Sequence, residues 1–169
     1  RPDYKSSPKL GISYIDINND LDEFKDPKVR EALSLALDRK YMAETISAGI
    51  LAPATGFIPD GVVDWDGSAW ADNITDKSVY FDNDNFDANL AKAKELLAEA
   101  GHPNGEGLPA MSYTTNDAGL NKKVAEYLQQ AWKELGINVE VNIVEWKSFI
   151  PQRRSGNYQI ARDGWVMDY

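Results

Sequence analysis

From residue 109 onward the sequence switches repeatedly between a period of two and a period of 3.6, and that switching limits the fold more than any other feature. Residues 109–115 read as a short strand. A helix opening at Asn116-Asp117 follows, with Leu120, Val124, Leu128, Ala131, Trp132 and Leu135 on one stripe and Gly136 as its stop. Ile137, Val139, Val141 and Ile143 then alternate as a second strand, residues 146–154 form a short helix broken at Gly156, and residues 158–162 form the last strand. Joining strands through helices requires crossovers, which are right-handed with few exceptions, so the expected fold class is α/β with a mostly parallel or mixed sheet flanked by helices.

The first half supplies the remaining layers. Residues 1–8 read as a connecting arm, and Leu10, Ile12, Tyr14, Ile15 and Ile17 as a strand. Asp26-Pro27 is a helix start, with the Asp side chain capping and Pro at the first helical position, where its missing N–H costs nothing. Val29, Ala32, Leu33, Ala36 and Leu37 follow on one face, and Asp38 caps a continuation through Met42 and Ile46 that Gly49 ends. Residues 50–86 keep no sustained period. With Trp65, Trp70, Tyr80 and Phe81 as packing anchors they read as a long ordered loop, because disordered segments lack aromatics. Asp87 is expected to cap a helix that ends at Gly101, with Leu90, Ala93, Leu97 and Ala100 in line. Residues 1–169 thus read as one α/β lobe.

Composition removes several functional classes. A formal net charge of -9 opposes a nucleic-acid or anionic-membrane partner. With no cysteine, disulfides, thiol catalysis and thiolate zinc sites are excluded. His102 is the only histidine and follows a helix-ending glycine, so no histidine-based triad or His-rich metal site is expected. Asp82, Asp84 and Asp87 resemble a calcium loop only superficially, since Asp87 and Ala93 occupy the places that need Gly and a bidentate Glu. Gly101, Gly105 and Gly107 follow a helix rather than a strand, which is wrong for a phosphate loop. Asn73-Ile74-Thr75 is a formal glycosylation triplet of a kind that arises by chance. No run approaches the ~20 apolar residues of a membrane span. No catalytic constellation, metal site or cofactor motif emerges, and the chain is not expected to be an enzyme.

What remains is the closing run Arg162, Asp163, Gly164, Trp165, Val166, Met167, Asp168, Tyr169. A strand entering a Gly turn there brings a cation, an aromatic face and an anion to one sheet edge, the set a zwitterionic ligand needs. Trp146 and Trp165 both fall near strand ends, where ligands collect in parallel α/β sheets. At this level cleft lining and plain packing stay open for the two tryptophans, as does simple ion pairing for Arg162 and Asp168.

Three segments in order carry a resemblance. Residues 24–39, Phe-Lys-Asp-Pro-Lys-Val-Arg-Glu-Ala-Leu-Ser-Leu-Ala-Leu-Asp-Arg, resemble the "F-x-D-x-x-V-R-x-A-L-x-x-A-I-D-R" helix of the oligopeptide- and dipeptide-binding proteins of ABC importers. Residues 86–101 resemble that family's "Y-D-P-x-x-A-K-x-L-L-x-E-A-G" helix, with Asn85-Phe86-Asp87-Ala88 in place of Tyr-Asp-Pro. Glu145-Trp146 through Gly156, Tyr158, Arg162, Gly164-Trp165 and Asp168-Tyr169 is similar to its closing motif. The resemblance implies the second lobe of a two-lobed, extracytoplasmic bacterial receptor, anchored as a lipoprotein or free in the periplasm. Such a receptor closes on a short peptide and delivers it to the transmembrane permease subunits. It implies that Asp168 binds the peptide's amino group, that Arg162 reaches a carboxylate, and that Trp165 and Trp146 line side-chain pockets, with the Gly164 backbone open to strand-like hydrogen bonds. Asp163 departs from the small residue common there and adds negative charge beside the amine site. A pheromone receptor, or a receptor for a nickel complex, opine or oligosaccharide, is the alternative within the same fold. The stop at Tyr169 is expected to fall at a crossover to the other lobe.

Overall fold

The computed structural model describes residues 9–70 and 81–167. The arm at 1–8, the Asn73-Ile74-Thr75 triplet, Tyr80 and the Asp168-Tyr169 pair lie outside the described residues. In chain order the elements are β1 (Gly11–Ile17), α1 (Pro27–Leu35), α2 (Arg39–Tyr41) with a π turn at Met42–Ile46, and α3 (Phe86–Glu99). Then come β2 (Met111–Asn116), α4 (Gly119–Lys133), β3 (Val139–Val144), α5 (Trp146–Arg154) and β4 (Ile160–Val166).

The four strands form one sheet in the order β1-β4-β2-β3. β2 lies parallel to both β3 and β4, whereas β1 runs antiparallel to β4 from Gly11↔Val166 to Ile17↔Ile160. The sheet is therefore mixed: the expected crossovers make the last three strands parallel, and β1, which no crossover joins to them, closes one edge the other way. α4 moves the chain from β2 outward to β3, and α5 carries it back past β2 to β4. Two right-handed crossovers in opposite directions put their helices on opposite faces. So α4 joins α1 and α3 on one face, and α5 covers the other.

The first face holds the core. Leu33, Leu97, Met111, Tyr113, Trp132 and Ile160 are at most 1% exposed. Trp132 is the structural tryptophan that its helix stripe indicates, and its indole N–H donates to the Leu33 carbonyl at 2.9 Å, so burial leaves no donor unpaired. Asp26 accepts from the Lys28 N–H at 2.8 Å and Asp38 from the Tyr41 N–H at 2.9 Å, the caps that the sequence indicates. Gly136, at φ +77°, is fixed twice over: a Cβ there would stand 1.9 Å from the Asn104 carbonyl oxygen.

Four local expectations are corrected. Asn85, not Asp87, caps α3, its side chain accepting from the Ala88 N–H at 3.3 Å while Asp87 sits inside the first turn. Asn116 does not open α4; strand pairing with Val144 holds it at the end of β2, and the helix starts at Gly119 without a side-chain cap. β4 does not turn at Gly164 but runs on to Val166, because β1 supplies a backbone partner along its length. Trp65 is 93% exposed and anchors nothing by packing, and Trp70 is also exposed. Phe81 does pack, with the Arg39 guanidinium 3.6 Å from its ring centroid.

Candidate functional site at the strand ends

Because β2, β3 and β4 are parallel, their carboxyl ends share one edge of the sheet. Asn116 ends β2, Trp146 stands two residues beyond β3, and Trp165 and Val166 close β4. β1 begins at the same edge, and the Met167 N–H donates to the Leu10 carbonyl at 2.9 Å. Ligands of parallel α/β sheets bind at such an edge.

The period of two along β4 decides which groups face which way. Ile160, Arg162 and Gly164 fall on the core face; Ala161, Asp163 and Trp165 fall on the face that α5 covers. Arg162 and Trp165 therefore reach one edge but stand on opposite sides of it, where a turn at Gly164 would have brought them to one surface.

The Arg162 side chain is half-buried and makes no ion pair or hydrogen bond among the described residues. Its charge acts on Tyr113, whose hydroxyl burial pushes up to about 12 while the Thr115 side chain and Arg162 pull the other way. The Thr115 hydroxyl is buried without a hydrogen-bond partner of good geometry. Gly164 explains how the guanidinium finds room: a Cβ there would meet Arg162 Nη2 at 3.3 Å and the Ile12 carbonyl oxygen at 3.1 Å.

On the opposite side, Trp165 is 57% and Trp146 50% exposed. Trp146 opens α5 and stacks on the buried Phe149, with centroids 5.9 Å apart. Asp163, expected to add charge beside the ligand, is instead buried and paired with Arg153 of α5, and it accepts from the Gly164 N–H at 2.7 Å. Arg153 also stands 3.9 Å from Asp16 of β1. Burial pushes the Asp16 carboxyl up against the pull of Arg153, and burial followed by Asp16 pushes up the Tyr158 hydroxyl. This cluster pins α5, and so Trp146, to the sheet. Its one local signal in the sequence is Asp16, a carboxylate inside a strand that a cation must answer; Asp163 lies inside a strand only because β4 runs on to Val166.

Other features lie elsewhere. A cavity of about 240 Å³ between α2, α3 and α4, lined by Asp38, Tyr41, Phe86, Tyr127 and Glu134, shares no residue with the strand-end edge. His102 Nδ1 lies 2.9 Å from the Glu106 carbonyl oxygen in a turn, and Asp84 pairs with Lys40. Among the described residues no three His, Asp or Glu side chains are grouped to hold a metal, and no helix is long and apolar enough to cross a membrane.

The family model described as bacterial extracellular solute-binding proteins, family 5 Middle, matches residues 1–169. The chain is 34% identical to the periplasmic oligopeptide-binding protein OppA of Escherichia coli K12, over 96% of its own length and 28% of that protein's. A crystal structure of a periplasmic oligopeptide-binding protein (OppAIV) from Borrelia burgdorferi superposes with a TM-score of 0.78 at 33% identity, covering 98% of this chain and 30% of that one. The periplasmic binding protein DppA from Helicobacter pylori, in complex with the peptide STSA, gives a TM-score of 0.77 at 26% identity over 95% of this chain and 28% of that one. The chain thus spans less than a third of the length of these relatives.

Proposed function

The chain belongs to the bacterial extracellular solute-binding proteins of family 5, and we propose that its strand-end edge forms one wall of a cleft that binds short peptides outside the cytoplasm. The protein that carries it hands those peptides to the transmembrane subunits of an ABC importer and does no chemistry on them. A second lobe of the same protein supplies the facing wall, and the two close around the ligand.

One observation carries this reading: an arginine that is half-buried and has no anion among the described residues sits at the same edge as two half-exposed tryptophans. An arginine removed from water and left without a carboxylate is poorly satisfied, and a ligand carboxylate would supply the charge-assisted fork it lacks. The tryptophans offer apolar faces that accept side chains of many shapes. Asp168, just beyond, takes the amino group in this reading, and the Gly164 carbonyl, its N–H being held by Asp163, adds a strand-like hydrogen bond that is indifferent to ligand sequence. The relatives, oligopeptide-binding proteins among them, support a peptide as the ligand class.

The test is calorimetric titration of the full-length protein with a tripeptide and with its N-acetylated form. Acetylation and Asp168→Ala are each expected to weaken binding at least about tenfold, the scale of one lost charge-assisted bond. Equal affinity for free and acetylated peptides would remove Asp168 from the site.

A further inference from the structure

We infer that Phe57 is a specificity-determining residue of the same cleft, extending the wall of Trp165 so that the site favours a ligand with a bulky apolar side chain. The inference rests on the proposed peptide cleft and adds to it a residue from the long loop.

The placement follows from strand register. Ile12 lies opposite Trp165 and Tyr14 opposite Asp163 in the antiparallel pair of β1 and β4, so all four side chains share the face that α5 covers. Tyr14 and Trp165 are diagonal neighbours there, a spacing of about 7–8 Å between backbones that aromatic side chains bridge. Phe57 packs on Tyr14, with ring centroids 5.1 Å apart and a tilt of 58°. The loop also passes close to this edge at Gly61, where a Cβ would stand 3.2 Å from Leu10 Cδ2, and the Leu10 carbonyl accepts from the Met167 N–H. The lane therefore runs Phe57, Tyr14, Trp165 and ends where β4 ends.

Its exposure separates it from packing. Phe57 is 61% and Trp165 57% exposed, and Phe57 is braced on one side by Tyr14. A braced ring with its outer face in water gains by covering that face with another apolar group and loses little entropy doing so. Asp163, on the same face, does not spoil the lane for an uncharged side chain, because it is buried and paired with Arg153.

Full-length protein and its Phe57→Ala and Phe57→Tyr variants would be titrated with tripeptides of free termini that differ in one residue, placed in turn at each position: Phe, Leu, Lys, Glu or Gly. At one ligand position, Phe57→Ala is expected to weaken the Phe and Leu peptides about fivefold to twentyfold while the Gly peptide changes less than about twofold. Phe57→Tyr should restore the preference. A uniform loss across the panel, no loss at all, or a loss confined to the Lys peptides would overturn the inference while leaving peptide binding intact. Failure of the unsubstituted protein to bind any peptide would overturn the cleft itself.

Discussion

The two faces of the sheet are built from different chemistry. On the face under α1, α3 and α4, Met111, Tyr113, Val139 and Ile160 pack against apolar helix stripes. On the other, one short helix, α5, buries only Phe149 and is held by Arg153 between Asp163 and Asp16. The first arrangement gains chiefly from area removed from water. The second gains little from area, but its ionic clasp fixes direction, which an apolar contact between a two-turn helix and a strand does not. The difference teaches that the fold keeps stability on one side and the shape of the strand-end edge on the other.

Substitutions on the two sides should separate those roles. The largest effect is expected from Trp132→Ala, which removes a buried ring and strands the Leu33 carbonyl. A loss of about 3–5 kcal/mol in denaturant unfolding is expected, with ligand affinity unchanged in whatever fraction stays folded. Arg153→Ala should come next. It leaves Asp163 buried without its cation, at about 2–4 kcal/mol, and unlike the core substitution it should also weaken peptide binding, since α5 carries Trp146. Pairing it with Asp163→Leu should recover stability but not affinity; recovery of both would show the clasp to be mere packing.

Asp16→Asn should have the smallest effect and depends on pH. The Asp16 carboxyl is raised above its ordinary 3.8 by burial, with Arg153 acting the other way. A raised acid favours the protonated folded state, so its stabilising contribution is present below the ordinary value and lost as pH rises through the folded one. Asn should therefore be neutral to slightly stabilising at pH 7 and lose that advantage toward pH 3. Thermal melts across this range measure it, and a variant that is much less stable at pH 7 would mean that the Asp16–Arg153 contact outweighs the desolvation of Asp16.

The sequence displayed the core face more readily than the edge. Apolar stripes such as Leu120, Val124, Leu128 and Trp132 repeat at 3.6 because a helix can bury only one side, so periodicity reports them directly. The edge has no such repeat. Whether Arg162 and Trp165 share a face depends on β4 continuing through Gly164, and that depends on pairing with β1, some 150 residues earlier in the chain. A glycine in that place looked like a turn because its partner strand is invisible locally. The pairing of Asp163 is hidden for the same reason: its cation, Arg153, comes from a crossover helix. The α3 cap is nearly legible, since Asn85 and Asp87 cap equally well by residue type and only backbone direction chooses between them. The family resemblance, by contrast, was carried by whole segments and did not depend on such details.

The central claim is that Arg162, half-buried and without an anion among the described residues, receives a ligand carboxylate at the strand-end edge. It is tested most directly by titrating the full-length protein and its Arg162→Gln variant with one tripeptide as the free acid and as the carboxamide. Amidation should cost the unsubstituted protein about tenfold or more in affinity and the variant almost nothing, because the group that senses the charge is gone. An equal amidation penalty in both proteins would contradict the claim.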